Sequence, residues 1–252
     1  MALVDRARDA VVTDDVVRGP GAGIIVTRSD TVRVAANRVS GSAFAGIPVF
    51  ESQHVAITDN TVTTSRNDTG IGLFDGSSQS EVTGNRLSRN GAGIGLDNGA
   101  FDNLIAGNSV ARNDSGVIVD VGTHDNRVVE NVIEDSLFEG IAVVGSDGNL
   151  IARNRVARNG AREAAGGIVV IPWPDDVAET SDANVLADNA TLDNDGDGIR
   201  VGEGQAANLI RGSRADRNTL LGINAPGSID GGGNHAARNG DPRQCVGVAC
   251  SP

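Results

Sequence analysis

Asn90-Gly-Ala-Gly-Ile-Gly-Leu-Asp-Asn98 decides the fold. Gly91, Ala92, Gly93 and Gly95 surround two aliphatic residues, and a carboxylate closes the run. Glycine at this density is unfavourable in a helix and weakens an ordinary strand. The stretch makes sense as one copy of a repeat. Glycine, aliphatic, any residue, aliphatic recurs at Gly23, Gly46, Gly70, Gly93, Gly116, Gly140, Gly167, Gly198 and Gly222, at intervals of 23, 24, 23, 23, 24, 27, 31 and 24 residues. The first slot after each glycine reads Ile24, Ile47, Ile71, Ile94, Val117, Ile141, Ile168, Ile199 and Ile223. The third reads Val26, Val49, Leu73, Leu96, Val119, Val143, Val170, Val201 and Ala225. Alternation at period two puts both slots on one face of a short strand.

A second ladder runs through Asn37, Asn60, Asn85, Asn108, Asn131, Asn154 and Asn189. Three residues before each stands an aliphatic residue (Val34, Ile57, Val82, Ile105, Val128, Ile151, Leu186). Two residues after the first six stands another (Val39, Val62, Leu87, Val110, Ile133, Val156). Each unit of about 23 residues therefore holds three short strands separated by Asn/Gly corners, which suit left-handed backbone. Stacked units give three parallel sheets around a narrow aliphatic core. Five Phe, one Trp and no Tyr among 252 residues fit a cross-section with no room for aromatics. A leucine-rich repeat would need an apolar helical return limb, and here that limb is Asn, Ser, Gly and Asp. A left-handed hexapeptide helix would show a six-residue beat, and none is present.

On these ladders the chain resembles the right-handed parallel β-helix repeat family of the pectate-lyase-like superfamily, over about residues 11–240. The expected fold is an all-β, single-stranded right-handed solenoid of about nine coils, roughly 43 Å long at 4.8 Å per coil. It forms one domain over 1–252, with 1–10 as an N-terminal capping segment and 241–252 as a C-terminal tail.

A net charge of −12 with no basic tract argues against nucleic acid and anionic lipid as partners. No apolar run approaches the ~18 residues of a membrane span. Cys245 and Cys250, five apart, read as a short-loop disulfide and imply an oxidising compartment. The first ten residues, MALVDRARDA, are charged and do not read as a secretory leader. The expected location, secreted or cell surface, rests on the disulfide. A monomer is expected.

The outward slot of the glycine-led strand reads Ile25, Pro48, Gly72, Gly95, Ile118, Ala142, Val169, Arg200 and Asn224, a flat apolar face with a dip at the two glycines. Beyond it lie Asp75, Asp97 and Asp120, and Asp97 and Asp120 share one slot in adjacent coils. Carboxylates ~5 Å apart raise one another's proton affinity, as in a general acid/base pair; the plainer reading is turn-forming acids facing water or a cation. Arg89 and Arg112 share a slot on the strand's other edge. Aspartates on one lip and arginines on the other suit a sugar chain laid across the coils.

Pectate lyases pair calcium carboxylates with an arginine base, so the resemblance implies those parts for Asp97, Asp120 and Arg112. His124-Asp125 resembles the His-Asp of alginate epimerases and lyases, although the surrounding motif and a Tyr are missing; a solvated corner histidine is the alternative. His54 and His235 read as solvated. Trp173, between two prolines in an insertion after Ile171, is expected to stack on a sugar ring or to cover the apolar strand face, and Arg200 to touch substrate. Asp193-Asn-Asp-Gly-Asp-Gly198 matches the opening of a calcium loop, with Asp193, Asp195 and Asp197 as ligands, but Glu203 falls one position short of the twelfth. An acidic corner is the alternative.

Two functions follow. One is a polysaccharide-binding or polysaccharide-processing protein of lyase, hydrolase or epimerase type, with calcium as its only expected cofactor. The other is a non-catalytic structural or binding rod, a fragment of a larger surface protein. A regular outward threonine ladder, as ice binding would need, is missing.

Overall fold

A computed structural model describes residues 1–65, 68–163, 165–174, 176 and 178–252. Among them there is no helix, and so none long and apolar enough to cross a membrane. Every paired strand runs parallel, in three sheets of eleven, ten and eleven strands, which makes about ten turns. The first sheet contains the nine glycine-led strands, among them Ile71–Phe74, Ala92–Leu96, Ser115–Val119 and Ile141–Val144. It also runs past the nine. Ala2–Asp5 pairs with Ile24–Thr27 at one end, and Cys245–Val246 with Ile223–Asn224 at the other.

The ladders stack in register: Ile71 opposite Ile94 opposite Val117, and Leu73 opposite Leu96 opposite Val119. In the coil of the quoted stretch, Ile94, Leu96, Ile105 and Val110 point inward, and all four are fully buried. Each such side chain contributes about 1.5–3 kcal/mol through burial. The continuous core contains no aromatic residue.

The recurring glycine has a steric cause. It sits where the third sheet turns into the first, against the next coil. A Cβ on Gly70 would come within 2.6 Å of the Gly93 carbonyl oxygen, and one on Gly93 within 2.7 Å of that of Gly116.

The asparagines hold the corners together. Asn60 Oδ1 accepts from both Asn37 N–H (2.9 Å) and Asn37 Nδ2 (3.0 Å), while Asn60 Nδ2 donates back to the Val34 carbonyl (2.9 Å). The arrangement repeats through Asn85, Asn108, Asn131, Asn154 and Asn189. The residue before each is left-handed, whether glycine (Gly84, Gly107) or not (Asp59, Glu130, Arg153). A non-glycine residue there costs about 1–2 kcal/mol, offset by satisfying buried corner amides that would otherwise lack partners. Two further asparagine ladders run up the other corners, Asn103–Asn126–Asn149–Asn184 and Asn159–Asn194–Asn218–Asn239, with Asn90–Asn113 in the latter's line.

The Cys245–Cys250 disulfide is formed. It ties the last strand of the first sheet to Cys250–Ser251, the last of the third.

Candidate functional site

Strand alternation continues one residue past Leu96 and Val119, so Asp97 and Asp120 fall on the outer side of the first sheet. Asp97 N–H donates to the Leu73 carbonyl (3.1 Å) and Asp120 N–H to that of Leu96 (2.8 Å), which locks the two acids into adjacent coils. Their column reads Phe50, Phe74, Asp97, Asp120, Val144, Ile171 from coil to coil. The two carboxylates are thus set between aromatic and aliphatic neighbours. Asp97 Oδ1 accepts from Asn98 N–H (2.6 Å) and Asp120 Oδ1 from Val121 N–H (3.0 Å).

Burial pushes both carboxyls up, and these local hydrogen bonds oppose the shift only in part. Asp75 adds to the rise at Asp97. At Asp120 the charge of Asp97 adds to burial, and the carboxyl is pushed up to about 6. Around pH 6 the pair can hold one proton between two groups, the condition for acid/base work.

Next to the pair lies a cavity of about 270 Å³ lined by Phe44, Phe50, Phe74, Asp68, Asp75, Asp97 and Asn98. The Phe50 and Phe74 rings stack at 5.2 Å. Phe74 lies over Gly72, where a Cβ would collide with its ring, and Thr69 lies over Gly95. The glycine dip is therefore a seat for neighbouring side chains. These aromatics escape a reading that sees Phe only as core, yet Phe50 and Phe74 occupy the slot of Asp97. Asp75 stands one residue further round and accepts from Asn98 Nδ2 (3.1 Å).

Trp173 stands further along the rod, beyond Val144 and Ile171 of the column of Asp97 and Asp120. Its N–H donates to the Glu179 carbonyl (2.9 Å), and it bridges Asp176 in an antiparallel turn. A Cβ on Gly145 would lie 3.1 Å from that of Trp173, so Trp173 stacks on Gly145 from the next coil, two coils along from Asp120.

The arginines are elsewhere. Arg89 and Arg112 line a separate cavity of about 380 Å³ with Asn90 and Asp114. It lies across the five-residue strand Ala92–Leu96 from the aspartates, some 16 Å away along the strand alone. The structure does not bring Arg112 to Asp97 and Asp120. Arg200 is exposed three coils beyond Asp120.

His124 belongs to the edge of the second sheet, stacked on Phe101 at 5.2 Å with Nδ1 2.9 Å from Asp125 Oδ2, and it lines neither cavity. His54 is exposed, with Nδ1 2.9 Å from Asp30, and the half-buried His235 has Nε2 3.3 Å from the buried Asp216.

Asp193, Asp195 and Asp197 do not converge. Asp193 is in a two-pronged ion pair with Arg217 (2.6 and 2.7 Å), and Asp195 accepts from Thr219 Oγ1 (2.8 Å). Asp197 is buried and accepts from Leu221 N–H and Asn224 Nδ2. No group of three His, Cys, Asp or Glu able to hold a metal forms among the described residues.

No curated protein matches the chain in sequence. Its fold is similar to the A-module of the Azotobacter vinelandii mannuronan C-5 epimerase AlgE4, with a TM-score of 0.71 and 14% identity over 97% of this chain and 65% of that one. A form of the periplasmic alginate epimerase AlgG matches at 0.66 and 15% identity, over 99% and 71% of the two chains. The pectate lyase Pel9A matches at 0.67 and 14%, over 95% and 71%. The chain spans just under two thirds of the length of the AlgE4 module.

A family model described as periplasmic copper-binding protein (NosD) matches residues 2–173. Copper sites draw on thiolate, thioether and imidazole donors. Here the two cysteines are bonded to each other, the one methionine is Met1, and the three histidines stand in separate coils. The residues present do not fit a copper centre. By the match over most of its length and by its three-sheet right-handed coil, the chain belongs to the NosD family of parallel β-helix proteins.

Proposed function

We propose that the outer face of the first sheet binds a polysaccharide along the rod axis, with Asp97 and Asp120 as its acid/base pair. The observation that carries this is the order along the face: stacked Phe50 and Phe74, then two adjacent carboxyls of raised proton affinity, with Trp173 two coils further on. Aromatic faces supply apolar contact to sugar rings. Asp120, the more easily protonated, donates a proton to the departing glycosidic oxygen, while Asp97, ionised, accepts one, from the water that attacks the anomeric carbon in hydrolysis or from C5 of a uronate in elimination. The folds of polysaccharide epimerases and lyases support the substrate class. The disulfide and the periplasmic family description support an extracytoplasmic site of action. On this reading the protein acts as a monomer, since one chain carries the whole face.

The test is a panel of neutral and uronate polysaccharides, assayed for binding and for new reducing or unsaturated ends, with and without calcium. Wild type should bind at least one and turn it over. Phe74→Ala should weaken binding, and Asp120→Asn should abolish turnover while binding persists. Binding by wild type without turnover would reduce the protein to a binding rod. Binding unchanged by Phe74→Ala would move the site off this face.

A further inference from the structure

The corners between the third and first sheets differ in length. Counted to the residues paired in the stack (Ile71, Ile94, Val117, Ile141), the corners after Arg86–Ser88 and after Ser109–Ala111 take five residues each, 89–93 and 112–116. The flanking coils spend seven (64–70) and six (135–140). Two short corners between two longer ones leave a notch two coils wide, and this is the cavity of Arg89 and Arg112.

The corner column itself is a ladder of charges. In successive coils it reads Arg89, Arg112, Asp135, Arg158, Asp193, Arg217. From Asp135 onward the signs alternate and the charges pair, Arg158 with Asp135 at 2.7 Å and Arg217 with Asp193 at 2.6 Å. Arg89 and Arg112 break the alternation. They are adjacent, like-charged and joined coil to coil by Arg89 N–H to the Arg112 carbonyl (3.0 Å). Among the described residues neither forms an ion pair with a carboxylate, Asp114 at the rim included. Each guanidinium offers five N–H donors in a planar fork, and two forks ~5 Å apart match the oxygens of one carboxylate, sulfate or phosphate group. In a chain of net charge −12 this is a local positive notch whose internal repulsion an anion would relieve.

We infer that the notch is an oxyanion site, in which Arg89 and Arg112 together clamp one anionic group. It rests on the corner geometry and not on the saccharide reading. The oxyanion has two possible sources, a free inorganic anion or an acidic group on a larger glycan.

The experiment is thermal shift and calorimetry on the full chain with sodium sulfate and sodium phosphate, against sodium chloride at matched ionic strength. Matched acidic and neutral oligosaccharides form the second arm. Sulfate or phosphate should raise the melting temperature of wild type above the chloride control. The R89Q/R112Q double variant should bind at least about tenfold more weakly, the loss expected for charge-assisted hydrogen bonds. R89K/R112K, which keeps the charge but not the fork, should fall between. Both arginines are exposed, so the variants should fold, as circular dichroism will check. An Arg-dependent response to acidic oligosaccharide as well assigns a glycan source, and a response to inorganic anions alone assigns a free one. Asp97→Asn and Asp120→Asn should leave anion binding intact, so failure of the saccharide reading is distinguishable from failure here. No response above chloride, or an equal response in R89Q/R112Q, overturns the inference.

Discussion

Ser136 breaks one of the three asparagine ladders, and the break has a calculable cost. In its column, Asn113 Oδ1 accepts two bonds from Asn90, and Asn194 Oδ1 accepts two from Asn159. Between them stands Ser136. Its Oγ is buried without a partner, and the Asn113 N–H finds no acceptor among the described residues. Ser136→Asn restores the pattern. By analogy with its neighbours the new amide accepts from Asn113 N–H and Nδ2, and donates to Asn159 Oδ1 and the Val110 carbonyl. Space is available, because the neighbouring amides sit over ladder glycines (Asn159 Nδ2 over Gly140) and Gly116 is the equivalent residue here. Four bonds at roughly 0.5–1 kcal/mol net, less about 1 kcal/mol for fixing the longer side chain, leave about 2 kcal/mol. For a chain of this size that is a rise of about 4–8 °C in melting temperature. Ser136→Ala is the control and should be neutral within about 0.5 kcal/mol, since the hydroxyl it removes is unpaired. Calorimetry of the three proteins decides. A Ser136→Asn protein that folds yet melts at or below wild type would refute the reasoning, as would a loss above about 1 kcal/mol in Ser136→Ala.

Three further outcomes are expected. Asp120, with its folded carboxyl raised to about 6, binds more protons folded than unfolded, so its contribution to stability falls as pH rises from about 4 to 6. Asp120→Asn should therefore stabilise the protein by about 1 kcal/mol at pH 8, after discounting for solvent screening, and by nothing at pH 3.5; a pH-independent difference in melting temperature would contradict this. Ile94→Asp puts a carboxylate into the fully buried ladder between Ile71 and Val117, at a cost of several kcal/mol, and melting within a few degrees of wild type would show Ile94 to be misplaced. Reducing Cys245–Cys250 should loosen the last coil while barely moving the main transition, because the tie joins only terminal strands. Hydrogen exchange that speeds up well before residue 223 would contradict that confinement.

The core was legible because two periods reinforce each other: alternation sets the face and the beat of about 23 residues sets the stack. Ile94 and Leu96 could be placed inward from those periods alone. The other asparagine ladders carry the same spacing, as in Asn103, Asn126 and Asn149, but their beat is interrupted by Ser80, Ser136 and the long seventh coil. Slot alignment put Asp97 next to Asp120, and the register agrees. It could not say how far apart two columns lie around the cross-section, so the arginines seemed to share a trough they do not share. The calcium-like run at Asp193 failed for a related reason. A motif read along one coil cannot see Arg217, Thr219 and Leu221 arriving from the next.

The coil-to-coil register also makes the outer face editable in whole steps. Excising residues 93–115 joins Ala92 to Gly116, with Ala92 inheriting the place of Ser115, its partner in the stack. The cross-section is unchanged, while Asp120 moves up beside Phe74 and the face has one acid fewer. Copying the same segment adds one acid to that face and one arginine to the notch, because Asp97 and Arg112 both lie within it, along with Asp102 and Asp114. Gene-level slippage of one repeat would thus lengthen the acidic strip and the basic notch in equal numbers, giving variants of graded reach on a constant scaffold.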